Sequence, residues 1–252
     1  MLLEGKNAVI YGGGGRIGGA VAGIFAREGA AVFLAGRNLA KVEAVAARIR
    51  AAGGSAEAAE VDALAEDEVD AYVDAVATRA GSIDVSFNLI SVADVQGTPM
   101  AEMTYEDFAR PVEIAMRSTF LTARAAARQM RKQGSGTILA FGGSGDPVPD
   151  YSIGGFQVAL HVVEAMRRQL SSELGRDGIR FVTLKTGGIL ETIPGDFENI
   201  EAVSRGIVEA TMLKRAASLE DVGNVAAFVA SDRARTMTAA TVNVSAGALI
   251  DV

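Results

Sequence analysis

The sequence predicts an α/β fold: a single domain, 1–252, built on a doubly wound, seven-stranded parallel sheet with helices on both faces. Three observations carry this. Strand-like and helix-like stretches alternate along the whole chain, the order that parallel strands joined by helical crossovers require. The first strand runs directly into a glycine-rich loop and then a helix. No linker, internal repeat or low-complexity segment interrupts the 252 residues, a length suited to one large α/β domain.

The first strand is Asn7–Tyr11, around the apolar run Ala8-Val9-Ile10. Its helix covers 16–28 and is closed by Gly29, as a C′ glycine closes helices. The second strand covers 31–35. Asn38 is placed to cap a helix with an apolar face of Val42, Val45, Ala46 and Ile49, ending before Gly53-Gly54. A third strand over 56–61 is weakly signalled, because alanine and glutamate are poor strand formers. A helix covers 66–80 and the fourth strand 84–89. Thr104 with Asp107 marks the start of a long helix to about Gln133, in which Pro111 predicts a kink or a split. The fifth strand, 137–141, leads into a loop rich in glycine and proline, 142–150. The next helix reaches Leu174 and stops at Gly175, before a sixth strand over 179–184. Residues 186–214 read as irregular, then partly helical, a lid over the site. Ser218 caps a helix over 219–231, with Glu220 and Asp221 in its first turn. The seventh strand covers 241–244.

Composition removes several functions. There is no cysteine and one histidine, so disulfides, a thiolate nucleophile and Cys- or His-rich metal sites are excluded. The net charge of −7 argues against nucleic acid or an anionic membrane as partner. No apolar run approaches about 18 residues, so no transmembrane helix is expected. The amino-terminal residues lack the basic and apolar regions of a secretory signal. With 49% hydrophobic residues a substantial core is available. The expectation is a cytoplasmic protein acting on a small molecule.

Tyr11 to Gly19 reads Tyr-Gly-Gly-Gly-Gly-Arg-Ile-Gly-Gly. Strand, glycine loop, helix is the context of a dinucleotide pyrophosphate site, here Gly12, Gly14, Arg16, Ile17 and Gly18. Glycines let the backbone come close to phosphates, and the helix N-terminus presents free N–H groups to the anion. Arg16 sharpens the reading. A cation in the first helical turn is unfavourable, and a bound anion removes the conflict. The plainer alternative is a glycine-rich turn without a ligand.

In dinucleotide folds a carboxylate about 20 residues beyond the glycines takes the ribose 2′-hydroxyl of NAD. Here the second strand ends Leu34-Ala35-Gly36-Arg37-Asn38, with no acid and a guanidinium beside its place. Arg37 can hold a 2′-phosphate bidentately, with Arg16 approaching from the glycine loop. NADP is therefore the expected coenzyme; a solvated loop cation is the alternative for Arg37.

With these segments in place, the chain resembles the short-chain dehydrogenase/reductase family over nearly its whole length. The resemblance rests on the glycine run 12–18, Val61-Asp62, Ile83-Asp84-Val85-Ser86-Phe87-Asn88, Leu170-Ser171-Ser172-Glu173-Leu174-Gly175, Ile179-Arg180-Phe181 and Asn243-Val244-Ser245-Ala246-Gly247. It implies a single-domain Rossmann fold and a nicotinamide coenzyme. It places Asp62 beside the adenine and Asn88 near the coenzyme ribose, with Asn38 at the cofactor-binding end of the second strand. Thr186-Gly187-Gly188 stands where the family often has Pro-Gly, so Gly187, Ile189 and Thr192 are expected to border the nicotinamide. Arg16, in place of the middle motif glycine, resembles the NADP-using pteridine-reductase-like members. The resemblance also implies a homo-oligomer, tetramer or dimer, through the long helical stretches 109–130 and 156–174.

The family's catalytic set does not carry over. Anchored on Leu170 to Gly175, its Tyr-x-x-x-Lys pair falls on Phe156 and Leu160. Its serine falls on Gly143, with Ser144 one residue later, and its helix-four asparagine on Ala115. A register that puts Tyr151 in the tyrosine slot leaves Gly155 for the lysine and breaks the downstream match. Phe156 has no exchangeable proton and Leu160 no charge, and losing positioned acid–base help typically costs about 10²–10⁴ in rate. As i and i+4 neighbours the two make an apolar wall beside the nicotinamide.

Three residues are candidate substitutes: Ser144 as a hydrogen-bond donor, Tyr151 as a proton donor from the loop, and Lys185, at the carboxyl edge of the sheet, as an electrostatic partner. Each has a plain alternative as a loop hydroxyl, an exposed tyrosine or a solvated lysine. Helical geometry turns His161 about 100° away from Leu160, which makes it a structural or interface histidine. Glu191 lies among the nicotinamide-side residues as a polar group. Two functions fit: an NADP-dependent oxidoreductase of a small carbonyl or conjugated carbonyl substrate, or a non-catalytic NADP-binding protein that reports redox state.

Overall fold

A computed structural model describes residues 1–143, 145, 146, 151–195 and 199–251. Seven parallel strands form one sheet in the order β3-β2-β1-β4-β5-β6-β7. They are β1 (Asn7–Tyr11), β2 (Ala31–Gly36), β3 (Ser55–Glu60), β4 (Val85–Asn88), β5 (Gly136–Gly142), β6 (Ile179–Thr186) and β7 (Ala240–Val244). The helices are α1 (Arg16–Arg27), α2 (Leu39–Ala51), α3 (Glu66–Ala80), α4 (Tyr105–Gln133), α5 (Gly155–Leu174), α6 (Ile200–Glu209) and α7 (Leu219–Ala230).

Alternation along each strand sends side chains to two cores. On one face Ile10, Leu34, Val182 and Leu184 pack with Val21 and Phe25 of α1, Val42 and Ile49 of α2, and Val222 and Val229 of α7. On the other, Val9, Phe33, Ile138 and Phe181 pack with Val73 of α3, Leu121 and Met130 of α4, and Val163 of α5. None of the described helices is long and apolar enough to cross a membrane.

The local signals act as physics dictates. The Asn38 side chain accepts from the Lys41 amide at 3.0 Å and starts α2. The Thr104 hydroxyl accepts from Asp107 at 3.1 Å and starts α4. Ser218 and Asp221 form a reciprocal capping box on α7. β3 forms despite its poor strand formers, because all six of its residues are in register with β2. The expectation of a split at Pro111 is corrected: α4 runs through it as one helix. Pro111 is a buried second-turn residue, and the helix loses one ladder bond there while α5 packs closely on it; a Cβ on Gly155 would lie 1.9 Å from the Phe108 carbonyl oxygen.

The strand order reverses direction between β1 and β4. That is the switch point, at the carboxyl ends of the strands, where open α/β sheets bind ligands.

Candidate functional site

A crevice of about 590 Å³ opens at this switch point. Its walls include Gly12, Gly14 and Gly15 of the glycine loop, Arg37, Asn38 and Lys41 after β2, Asp62 to Leu64 after β3, and Leu89 to Ser91 after β4. Of the sequence-predicted coenzyme residues, Gly12, Gly14, Arg37, Asn38 and Asp62 come together here.

The loop has the shape of a phosphate cradle. Gly12 sits at φ +74°, and a Cβ there would stand 2.4 Å from the Leu89 carbonyl oxygen. A Cβ on Gly18 would stand 2.3 Å from the Gly12 carbonyl oxygen. Only bare backbone lets the loop, β4 and α1 approach this closely. At the start of α1, the N-cap Gly15 makes no side-chain cap bond and the first turn holds no acid. Its free N–H groups and the positive end of its dipole are left for an anion.

The cationic end of the crevice is richer than expected. Arg37 is exposed at the end of β2, and Lys41, in the first turn of α2, lines the same wall. Lys41 escaped the sequence reading, although a signal exists: the first turn of α2 has a lysine and no acid, against the helix dipole. Asp62 is shaped by its own turn, one carboxylate oxygen accepting from the Leu64 amide at 3.0 Å. Asn88 does not line the crevice. Its amide donates to the Ser118 hydroxyl at 3.1 Å and its oxygen accepts from the Ile90 amide at 3.1 Å, which fixes the β4 exit. Tyr11 lies at the base of the crevice; burial, reinforced by Tyr72 and Asp70, pushes its phenol far above the ordinary value, so it stays neutral.

Arg16 and Ile17 lie outside the crevice lining. Arg16 Nη1 donates to the Glu191 carbonyl at 2.6 Å, and Ile17 packs on the α1 core. Gly187, Ile189 and Thr192 form a short strap after β6. Gly187 faces Ala248, Ile189 is buried, and the Thr192 hydroxyl donates to the Ile189 carbonyl at 2.7 Å. The Glu191 carboxylate accepts from the Leu219 amide, at 3.1 Å from its nearer oxygen, and supplements the cap of α7.

Beside the strap, Leu160 of α5 rests on the end of β5. Its Cδ2 lies 3.0 Å from where a Gly142 Cβ would be, and its Cδ1 3.3 Å from that of Gly143. One turn on, Glu164 accepts from Thr241 of β7 at 2.8 Å and pairs with Arg167 at 2.7 Å. Phe156, Leu160 and Glu164 share one face of α5, with Leu160 at the carboxyl end of β5 and Glu164 further back, at the start of β7. Burial alone would raise the Glu164 carboxyl, but the hydrogen bonds from Arg167 and Thr241, with the Thr183 hydroxyl close by, outweigh it and hold it below the ordinary value. Ala115 is buried in α4.

The substitute candidates are scattered. Ser144 lies outside the described residues. Tyr151 is half exposed at the approach to α5. Lys185 is 8% exposed and paired with Asp251, whose carboxyl it holds below the ordinary range. Its strand register sets it between Gly142 of β5 and Asn243 of β7. His161 Nε2 meets the Gly145 carbonyl at 3.0 Å.

Comparison with known proteins agrees with this geometry. A family profile described as enoyl-(acyl carrier protein) reductase matches residues 15–248. Levodione reductase of Leifsonia aquatica is 30% identical, with 95% of this chain and 92% of that protein covered. The 7alpha-hydroxysteroid dehydrogenase of Escherichia coli (strain K12) is 27% identical, covering 97% and 94%. A crystal structure of a short-chain type dehydrogenase/reductase from Mycobacterium marinum superposes with a TM-score of 0.87 at 26% identity, covering 99% and 97% of the two chains. The chain belongs to the short-chain dehydrogenase/reductase family. Members of this oxidoreductase family use a nicotinamide coenzyme, and the glycine cradle at the switch point fits one.

Proposed function

We propose that the protein is an NADP-dependent oxidoreductase that reduces a conjugated carbonyl compound. The observation that carries the coenzyme choice is the end of β2. Arg37 and Lys41 flank the crevice there, and the segment Gly36–Asn38 supplies no carboxylate to repel a 2′-phosphate. Gly12, Gly14 and the start of α1 would hold the diphosphate, and Asp62 would face the adenosine.

When bound, the nicotinamide supplies a hydride. The protein must then manage the charge left on the substrate oxygen. Phe156 and Leu160 give the reacting region an apolar wall that excludes water and strengthens any charge interaction inside it. Hydride addition to the β-carbon of an enone leaves an enolate, which needs a positive partner more than an immediate proton. Lys185 supplies that partner from β6, on the strand face that Thr183 presents to α5. The carbon-bound proton then comes from water or from the Tyr151 phenol. The enoyl reductase description of the matching profile supports this substrate class, and levodione reductase supports a small carbonyl compound more generally. Exposed Met116, Phe120 and Val158 on α4 and α5 support assembly into a homo-oligomer.

Fluorescence titration with NADPH and NADH tests the coenzyme, and NADPH oxidation across ketones, enones and quinones tests the chemistry. Tight NADPH binding with turnover of enones is expected. Tight binding with no turnover over the panel would favour a coenzyme-reporting protein, for which the replaced Phe156 and Leu160 speak.

A further inference from the structure

Glu191 ties the strap after β6 to two helix N-termini at once. Its carbonyl accepts from Arg16 at the first position of α1, at 2.6 Å. Its carboxylate accepts from the Leu219 amide at the first position of α7, at 3.1 Å. The second contact is electrostatically sound, a carboxylate at a positive helix end. The first sets a charged fork of five N–H donors against a neutral carbonyl.

We propose that Arg16 is a tether with two alternative partners, the Glu191 carbonyl and a coenzyme phosphate, so that coenzyme binding releases the Leu190–Thr192 turn from α1. The inference rests on the coenzyme reading above. A phosphate is an anion and accepts two parallel N–H bonds from the guanidinium, where the carbonyl accepts one from Nη1. It would also remove the conflict of a cation at the start of α1. Once Arg16 turns to the phosphate, the strap stays attached to α7 through the Glu191 carboxylate and pivots there. Ile189 and Thr192, the nicotinamide-side residues, move with it. Arg16 is thus a positioning residue that makes the shape of the substrate side depend on the coenzyme.

Hydrogen exchange reads this directly. Two strap amides report on it, Thr192, which donates to the Ile189 carbonyl at 3.0 Å, and Ile193, which donates to Leu190 at 3.1 Å. In the free protein Arg16→Ala should speed their exchange roughly tenfold, the scale for losing one charged hydrogen bond. Exchange in β1 and the core of α1 should be unchanged. The nicotinamide borders the strap in both proteins, so the tether is read from their ratio: the roughly tenfold difference in strap exchange should fall towards one with NADPH bound, while the glycine-loop amides 13–19 are protected in both. Equal strap exchange in the two free proteins, or an equal NADPH response in both, would overturn the tether. If NADPH leaves the wild-type glycine loop unprotected, the coenzyme reading fails instead, and the comparison of the free proteins still tests the tether. A ratio that falls with NADPH but not with NADH assigns the 2′-phosphate as the second partner; one that falls with both assigns the diphosphate. Arg16→Gln, which keeps side-chain length and helix propensity, should reproduce Arg16→Ala.

Discussion

Gly12→Ala is the sharpest perturbation of the cradle, because two independent costs fall on one methyl group. Gly12 lies at φ +74°, and left-handed backbone costs an L-residue about 1–2 kcal/mol. The new Cβ would also lie 2.4 Å from the Leu89 oxygen and 2.8 Å from the Leu89 carbonyl carbon. These are backbone atoms fixed by the β1–β4 pairing, with the Leu89 amide bonded to the Tyr11 carbonyl at 3.1 Å. Relief requires a movement of about 1 Å at the loop, an overpacking cost of about 1–3 kcal/mol. The sum, about 2–5 kcal/mol, should lower the Tm by about 4–20 °C for a chain of this size, without unfolding a domain of ordinary stability. The displaced loop no longer aims its N–H groups at the diphosphate, so NADPH affinity should fall by at least about tenfold. Gly23→Ala is the matched control. It lies inside α1 with nothing within 4 Å of the new Cβ, and should stabilise by about 0.5–1 kcal/mol. Differential scanning fluorimetry and NADPH fluorescence titration measure both variants. A Gly12→Ala protein with wild-type Tm and wild-type affinity would refute the cradle.

Three further outcomes follow from the same geometry. Arg37→Ala should cut the preference for NADPH over NADH by roughly tenfold, the scale of one screened, charge-assisted contact, with NADH affinity unchanged in titrations of both coenzymes. Glu164→Gln should destabilise by about 3 kcal/mol at pH 7, since it strands the buried Arg167; urea midpoints measure it. The Glu164 carboxyl is held below its ordinary value of 4.5, so its contribution is present above about 4.5 and is lost as pH falls through the lower folded value; the Gln variant should show a flatter acid limb. Lys185→Met should lower kcat for enones by about 10² or more while NADPH affinity holds, and Tyr151→Phe should do the same if the phenol is the proton source; steady-state kinetics with both variants decides which side chain acts.

Much of the fold was legible because its signals are local. The strand–loop–helix around Gly12, the caps at Asn38, Thr104 and Ser218, and the alternation of strand and helix depend on neighbours within a few residues. So does the i, i+4 spacing of Phe156 and Leu160, of which the structure sets Leu160 against the bare end of β5. What was not legible is where charged side chains find partners. Arg16 and Glu191 are far apart in sequence, as are Lys185 and Asp251. Those pairings depend on the paths of the strap after β6 and of the chain's last residues, which no periodicity encodes. Pro111 shows the same limit from the other side: its local cost is real, but the close α4–α5 contact at Gly155 overrides it. Lys185 is the most instructive case. Its place at the carboxyl edge follows from the strand alone, but its availability to a substrate depends on an exposed carboxylate near the end of the chain. Asp251 is exposed but Lys185 is buried, so an ammonium that simply left Asp251 would be stranded without a counter-charge. An enolate oxygen can take the place of that carboxylate only by supplying the same negative charge at the same ammonium, which ties the pairing to the chemistry proposed for it.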